Sequence, residues 1–348
     1  MRVAIVGCGA IGFKRAAALS ESEEDELVIG VDIKQVSADR LAAEYGCEAA
    51  TDWSRAVDHA GVDAVIVATV NKELAPITIG AARAGKHVLC EKPLGRNAEE
   101  ARQMVDAAAS AGVVLKTGFN HRYHPALLKA KELVDAERIG RPVFARCVYG
   151  HGGRPGYDQE WRADPKMAGG GELLDQGVHV VDLCRWFLGE FDRVVGVTPT
   201  YVWGLGPSPH VPNRAPVEDN AFAIMQTADG RTAQLHTSWT QWKNRFSFEV
   251  FGDDGYIAVE GLGGSYGPEK LTLGTRKRVD GSLVAGAPDL ELFDFPGPDG
   301  SWRSEWADFA SAVRNGTEPM ANGTDGLEAM KLIEAIYSSA RTGGLVTL

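Results

Sequence analysis

The chain has 348 residues, of which 44% are hydrophobic and 24% charged, and it carries a formal net charge of −11. That length favours two domains over one core, and the composition is that of an ordinary globular protein. The negative field argues against nucleic acid or an acidic membrane surface as partner, and no apolar run approaches the ~18 residues a membrane helix needs.

From the first residue, short Val- and Ile-rich runs alternate with helical stretches. "RVAIVG", "ELVIGVD", "DAVIVATV", "HVLCEK" and "VVLKTGF" read as strands apolar enough to be buried on both faces. "AIGFKRAAALSE", "SADRLAAEYG", "LAPITIGAARAG" and "NAEEARQMVDAAASAG" read as helices, the last capped by Asn97 and closed by Gly112. This rhythm predicts a doubly wound parallel sheet, a Rossmann domain over residues 1–121. Met1 leads straight into the first strand with no basic or apolar leader, and Cys8, Cys47, Cys90, Cys147 and Cys184 form no C-x-x-C pair. Both features predict a cytoplasmic protein with reduced thiols.

The first strand is followed by Gly7-x-Gly9-x-x-Gly12 and then a helix, the context in which such a motif binds a dinucleotide. Gly7 makes the tight turn, Gly9 lets a pyrophosphate approach the backbone, and Gly12 lets helix and strand pack closely. The helix N-terminus offers N–H groups and a positive dipole end to the phosphates. Asp32 lies twenty residues beyond Gly12, placed to accept hydrogen bonds from ribose hydroxyls. Facing a 2′-phosphate at ~4 Å, it would incur about 4 kcal/mol of repulsion at an effective dielectric near 20, so NAD is favoured over NADP, with Lys34 softening the preference. Ala10, Ile11, Ile33, Thr69, Glu91 and Lys92 complete the expected cofactor contacts. Asn71 reads either as an ordinary loop residue or as a contact to the nicotinamide ribose.

"HVLCEKPL" ends a strand with Lys92 held extended by Pro93. It projects beyond the carboxyl end of the sheet, where ligands of such sheets bind.

The remainder, 122–348, reads as an α+β domain for substrate binding and oligomerisation. "NHRYHP" offers Asn120, Arg122 and Tyr123, with His121 between them, and "HGGRPGYDQEWRADPK" offers Arg154, Tyr157, Trp161, Arg162 and Lys166. Hydrogen-bonding groups with aromatic faces suit a polyhydroxylated ring, and arginines suit a phosphate or carboxylate; a charged surface loop is the plain alternative. "GGGELLDQGVHVVDLCRW" plants Asp175 and His179 after three glycines, with a helix expected from about Gly177. Four residues apart, the two side chains share a face if that turn is regular; as plain structure, Asp175 is a helix cap and His179 an interior residue. "DRVVGVTPTYVW", "AFAIMQTADGRTAQLHTSW", "FSFEVFGDDGYIAVEG" and "EKLTLGTRKR" predict a large, mostly antiparallel open sheet. The Pro-rich "GPSPHVPNRAPVED" reads as a mobile loop or lid. Two helices close the chain, about 302–340, packing back toward the Rossmann domain. In "TAQLHTSW", Ala233, Leu235 and Trp239 face one side and Gln234, His236 and Ser238 the other. The uncovered sheet face predicts a homo-oligomer, dimer or tetramer.

Taken together, the glycines at 7–12, "CEKPL" at 90–94, "GGGELLDQGVHVVD" at 169–182 and the closing helices resemble the Gfo/Idh/MocA family, named for glucose–fructose oxidoreductase and inositol dehydrogenase. The resemblance covers essentially the whole chain. It departs where the family often carries Pro-Asn and a histidine, for here the turn reads Val70-Asn71-Lys72-Glu73. It implies a nicotinamide-dependent oxidoreductase acting on a secondary alcohol of a sugar or cyclitol. Lys92, Asp175 and His179 are the catalytic set it implies, with a cis Lys92–Pro93 peptide. In this reading His179 takes the hydroxyl proton as hydride leaves, Lys92 holds the same oxygen, and Asp175 orients substrate. No metal is expected, since nothing has clean ligand spacing. Two alternatives stand beside it: a biosynthetic ketosugar reductase acting on a phosphorylated or nucleotide-linked sugar, and a non-catalytic protein that senses NAD or a sugar.

Overall fold

Val3–Val6, Ala64–Val67 and Val88–Cys90 are apolar without interruption. Such strands are stable only with both faces covered. In the computed structural model, which describes residues 1–153, 156, 160–203, 217–276 and 278–348, they form the middle of a parallel sheet. Its strands are β1 (Arg2–Val6), β2 (Glu26–Val31), β3 (Glu48–Ala50), β4 (Ala64–Val67), β5 (His87–Glu91) and β6 (Leu115–Gly118), in the order β3-β2-β1-β4-β5-β6. The helices between them are α1 (Ala10–Ser20), α2 (Gln35–Tyr45), α3 (Ser54–Val57), α4 (Asn71–Arg83) and α5 (Ala98–Ala111). Asn97 caps α5 by accepting from the Glu100 amide at 2.8 Å, and Gly112 closes it with φ of 65°.

Three details differ from the sequence reading. The short helix α3 has no counterpart in it. β3, with the weak strand formers Glu and Ala, exists as an edge strand by pairing with β2. α4 begins at Asn71 rather than near Leu74, so Asn71 sits in a helix and not in a loop.

The chain divides into two units, the first comprising Met1–Asn120, Lys166–Gly169 and Gly300–Met330, the second everything else. Within the first, α9 (Ser301–Asn315) lays Trp306, Phe309 and Ala310 into a core with Val3, Ile5, Leu19, Leu41, Ile66 and Leu89. Gly316 ends α9 in the left-handed region, as its position in the sequence predicts.

In the second unit lie β7 (Pro142–Gly150), β8 (Arg193–Val197), β9 (Asn220–Gln226), β10 (Thr232–Ser238), β11 (Arg245–Gly252), β12 (Gly255–Glu260), β13 (Glu269–Thr275), a small hairpin β14 (Arg278–Val279) and β15 (Ser282–Leu283), β16 (Asp289–Phe295) and β17 (Val346–Thr347). Apart from the hairpin they form one nine-stranded sheet, β16-β13-β12-β11-β7-β10-β9-β8-β17. Every pairing is antiparallel except that of β7 with β10. α6 (Pro125–Asp135) and α8 (Val178–Leu188) pack on one face. The short α7 (Pro165–Ala168) and the long α10 (Gly323–Thr342) complete the helices. No described helix is long and apolar enough to cross a membrane.

The extended run expected over 192–203 stops at Val197. Pro199 has no N–H for a ladder, and beyond it the Asp219 carboxylate accepts from the amides of Tyr201, Val202 and Trp203 at 2.7–2.9 Å, folding the chain into a turn. On β10 the expected alternation holds from Ala233 to His236, but Ser238 is buried, its hydroxyl accepting from the Thr240 amide. Of the Pro-rich loop over 206–219 expected to be mobile or a lid, 206–216 lie outside the described residues.

Candidate active site

In the first unit, the turn between β1 and α1 packs its glycines against different things. A β-carbon on Gly12 would fall 2.0 Å from the Gly7 carbonyl oxygen, so helix and strand approach only because Gly12 has none. Gly7, with φ of 101°, presses against Ala68. A β-carbon on Gly9 would meet nothing within 4 Å: that face of the turn is open. Gly9 is also the N-cap of α1, which has no side-chain cap, so its first amides point into that space. Exposed Ala10 and half-exposed Ile11 border it. These residues fit the pyrophosphate of a dinucleotide.

Asp32 ends β2, with Oδ2 accepting from the Cys8 amide and Oδ1 from the Lys34 amide, both at 2.9 Å. The carboxylate is thereby tied to the glycine turn. Ile33 beside it is 88% exposed. Thr69 is half-buried after β4. Asn71 is buried and its Nδ2 donates to the Ala168 carbonyl at 2.8 Å.

The Lys92–Pro93 peptide is cis, as the resemblance implies. Lys92 itself is half-buried. The residue before it is anchored: Glu91 meets Arg15 of α1 at 2.5 Å, and the same guanidinium reaches Glu305 of α9 at 2.5 Å. Burial pushes the Glu305 carboxyl up, against the pull of Arg15. Glu91 thus fixes the end of β5.

In the second unit the helix carrying His179 starts earlier than expected. A wide π-helical turn over Leu173–Gly177 precedes α8, so Asp175 lies inside a helical turn and is not a cap. Such turns recur at functional sites. Asp175 is 3.6 Å from the Arg162 guanidinium, which also pairs with Glu160 and covers the Trp161 ring. His179 is buried and stacks on His121, ring centroids 3.9 Å apart. Tyr149 of β7 sets its edge to His121 at 5.1 Å and to His179 at 6.4 Å, and its ring is 5.5 Å from that of Tyr266. Gln176 donates to the Tyr266 hydroxyl at 3.2 Å. Burial pushes both tyrosine hydroxyls up, so they remain protonated donors.

The structure therefore brings Asp175, His179, Arg162 and Trp161 together with His121, Tyr149, Tyr266 and Gln176. Arg122 has another partner, making a buried bidentate pair with Asp182 at 2.6 and 2.8 Å, and Tyr123 beside it is buried. Asn120, in the first unit, donates to the Ser301 hydroxyl at 3.0 Å. Arg154 and Tyr157 lie outside the described residues. Tyr149 and Tyr266 were not singled out by sequence. For Tyr149 a signal exists, since Ala145, Cys147 and Tyr149 alternate as one inward row of β7; for Tyr266 there is none.

The first 119 residues match the family model described as oxidoreductase family, NAD-binding Rossmann fold, and residues 127–258 match the GFO/IDH/MocA C-terminal domain. The chain is 34% identical over 321 residues to 1,5-anhydro-D-fructose reductase of Ensifer adhaerens, covering 90% of this chain and 89% of that one. It is 29% identical over 341 residues to inositol 2-dehydrogenase of Rhizobium meliloti, covering 97% and 96%. Levoglucosan dehydrogenase, solved in complex with NADH and levoglucosan, superposes with a TM-score of 0.89 at 25% identity over 100% of this chain and 99% of that one. The chain belongs to the Gfo/Idh/MocA family of oxidoreductases with an NAD-binding Rossmann fold.

Proposed function

We propose that this protein is an NAD-dependent dehydrogenase of a free sugar or cyclitol, with Lys92, Asp175 and His179 as its catalytic set. The observation that carries the reading is His179, buried in the first turn of α8 against His121 and Tyr149, just after the wide turn that presents Asp175. The reductase and dehydrogenase relatives, whose names specify a sugar or inositol, support the substrate class.

When bound, the dinucleotide supplies the hydride acceptor or donor; the Gly7–Gly12 turn, the start of α1 and Asp32 would hold it. His179 takes the proton of the substrate hydroxyl during oxidation and returns it during reduction. Lys92 donates to the same oxygen and favours its alkoxide character. Asp175, held by Arg162, accepts from neighbouring substrate hydroxyls and orients the ring. Arg162 already faces Glu160 and Asp175, and this favours a neutral polyol over a phosphorylated sugar.

A nicotinamide absorbance assay against free sugars, inositols, sugar phosphates and nucleotide sugars tests this. Turnover on a free polyol is expected, falling at least about a hundredfold in His179→Ala and in Lys92→Ala. Turnover confined to phosphorylated sugars, or unchanged in both variants, contradicts it.

We propose further that the protein is a homo-oligomer, dimer or tetramer, assembled through the open face of its nine-stranded sheet.

A further inference from the structure

Three successive amides, those of Gly171, Glu172 and Leu173, end on one residue remote in sequence. The Gly171 amide donates to both carboxylate oxygens of Glu218 at 3.1 Å, the Leu173 amide to Oε1 at 3.0 Å, and the Glu172 amide to the Glu218 backbone oxygen at 3.0 Å. The hydroxyl of Tyr337, on α10, donates to the same Oε1 at 2.6 Å. The amides that open a helix have no partner within it, and here Glu218, buried just before β9, collects them with its carboxylate and backbone oxygen. The glycines fit this arrangement closely. A β-carbon on Gly170 would lie 2.3 Å from the Tyr337 hydroxyl oxygen, and one on Gly171 2.2 Å from the Glu218 carbonyl oxygen. The close neighbours of Gly170 and Gly171 are therefore protein atoms.

We infer that Glu218, buttressed by Tyr337, is a positioning residue that anchors the turn carrying Asp175 and leading into His179, and so sets the catalytic geometry without touching substrate. This rests on the catalytic roles proposed above. Burial holds the Glu218 carboxyl up at about 7, against the hydrogen bonds from Tyr337, Leu173 and Gly171 that pull it down. The other titratable group nearby, Glu172, acts on Tyr337.

The test compares Glu218→Met, which keeps the volume and removes both acceptors, with Glu218→Gln, which keeps one, and with Tyr337→Phe. Amide hydrogen exchange of the segment 169–176 and steady-state kinetics are read on each, with NADH binding by fluorescence as the control. In Glu218→Met the Gly171 and Leu173 amides should exchange about tenfold faster or more. Its kcat should fall about a hundredfold while NADH affinity stays within twofold. Glu218→Gln should recover most of kcat, and Tyr337→Phe should give a smaller change of the same kind. If Glu218→Met does not fold, Tyr337→Phe decides. Wild-type exchange in a folded variant overturns the anchoring, and faster exchange with unchanged kcat overturns the positioning role. Because exchange is read without turnover, it stands even if His179→Ala shows that the catalytic reading is wrong.

Discussion

Asp32 illustrates how much one side chain can be asked to do. From sequence it is a selector of NAD, and the structure adds that its two oxygens hold the amides of Cys8 and Lys34. A substitution that deletes the carboxylate therefore loosens the glycine turn as well as removing the proposed ribose contact. Asp32→Asn separates the two effects, because the amide keeps one acceptor and loses the charge. The NAD-over-NADP ratio of kcat/KM should fall at least about tenfold, a part of the ~4 kcal/mol repulsion that a carboxylate exerts on a 2′-phosphate at ~4 Å. A ratio unchanged in the variant removes Asp32 as selector. Other residues show what a single-residue reading leaves out. Arg122 and Glu91 carry the right chemistry for a ligand, yet each is met by a buried partner, Asp182 or Arg15, more than fifty positions away. Nothing in local spacing announces such a pair.

At the scale of elements, β1, β2, β4, β5 and β6 of the first unit were legible because buried parallel strands write their burial as continuous apolar runs. The parallel pairing of β7 with β10 was not, since period-two alternation is the same whichever way a neighbour runs. The π-helical turn was invisible for a related reason: the Gly171, Glu172 and Leu173 amides that lead into it find their acceptors on Glu218, 45 residues from Leu173. That carboxyl makes a pH prediction. Burial raises it in the folded state from 4.5 to about 7. Its contribution is fully present below the unfolded value and is lost as pH rises through the folded one, by an amount on the order of 3 kcal/mol. Glu218→Gln cannot ionise. The melting temperature of wild type relative to this variant should therefore decline between pH 4.5 and about 7 and level off above. A difference flat across that window means that Glu218 titrates as an ordinary carboxyl. A decline together with the loss of kcat in Glu218→Met would mark a site where stability is given up for catalytic geometry.

For the whole molecule, the sheet of the second unit poses the remaining physical question. α6 and α8 cover one face. On the other, one register row runs Val195, Ile224, Gln234, Arg146, Glu249, Ala258, Thr272 and Leu292, with an Arg146–Glu249 ion pair at its centre. The next carries Val197, Phe222, His236 and Val148, with Phe222 and His236 stacked at 4.1 Å. Val197, Ile224 and Leu292 are 55%, 54% and 72% exposed. Isolated exposed apolar side chains mean little, but exposed apolar groups at both ends of one sheet face favour burial against another surface. A second copy supplies the same row in reverse under two-fold symmetry, so apolar ends meet apolar ends and the central charges can cross-pair. Light scattering at micromolar concentration should give a dimer or tetramer. Ile224→Asp, on a strand whose opposite face is untouched, should lower the mass without unfolding the chain. A monomeric wild type would leave this face to some other partner. An oligomer whose mass ignores Ile224→Asp would move the interface elsewhere.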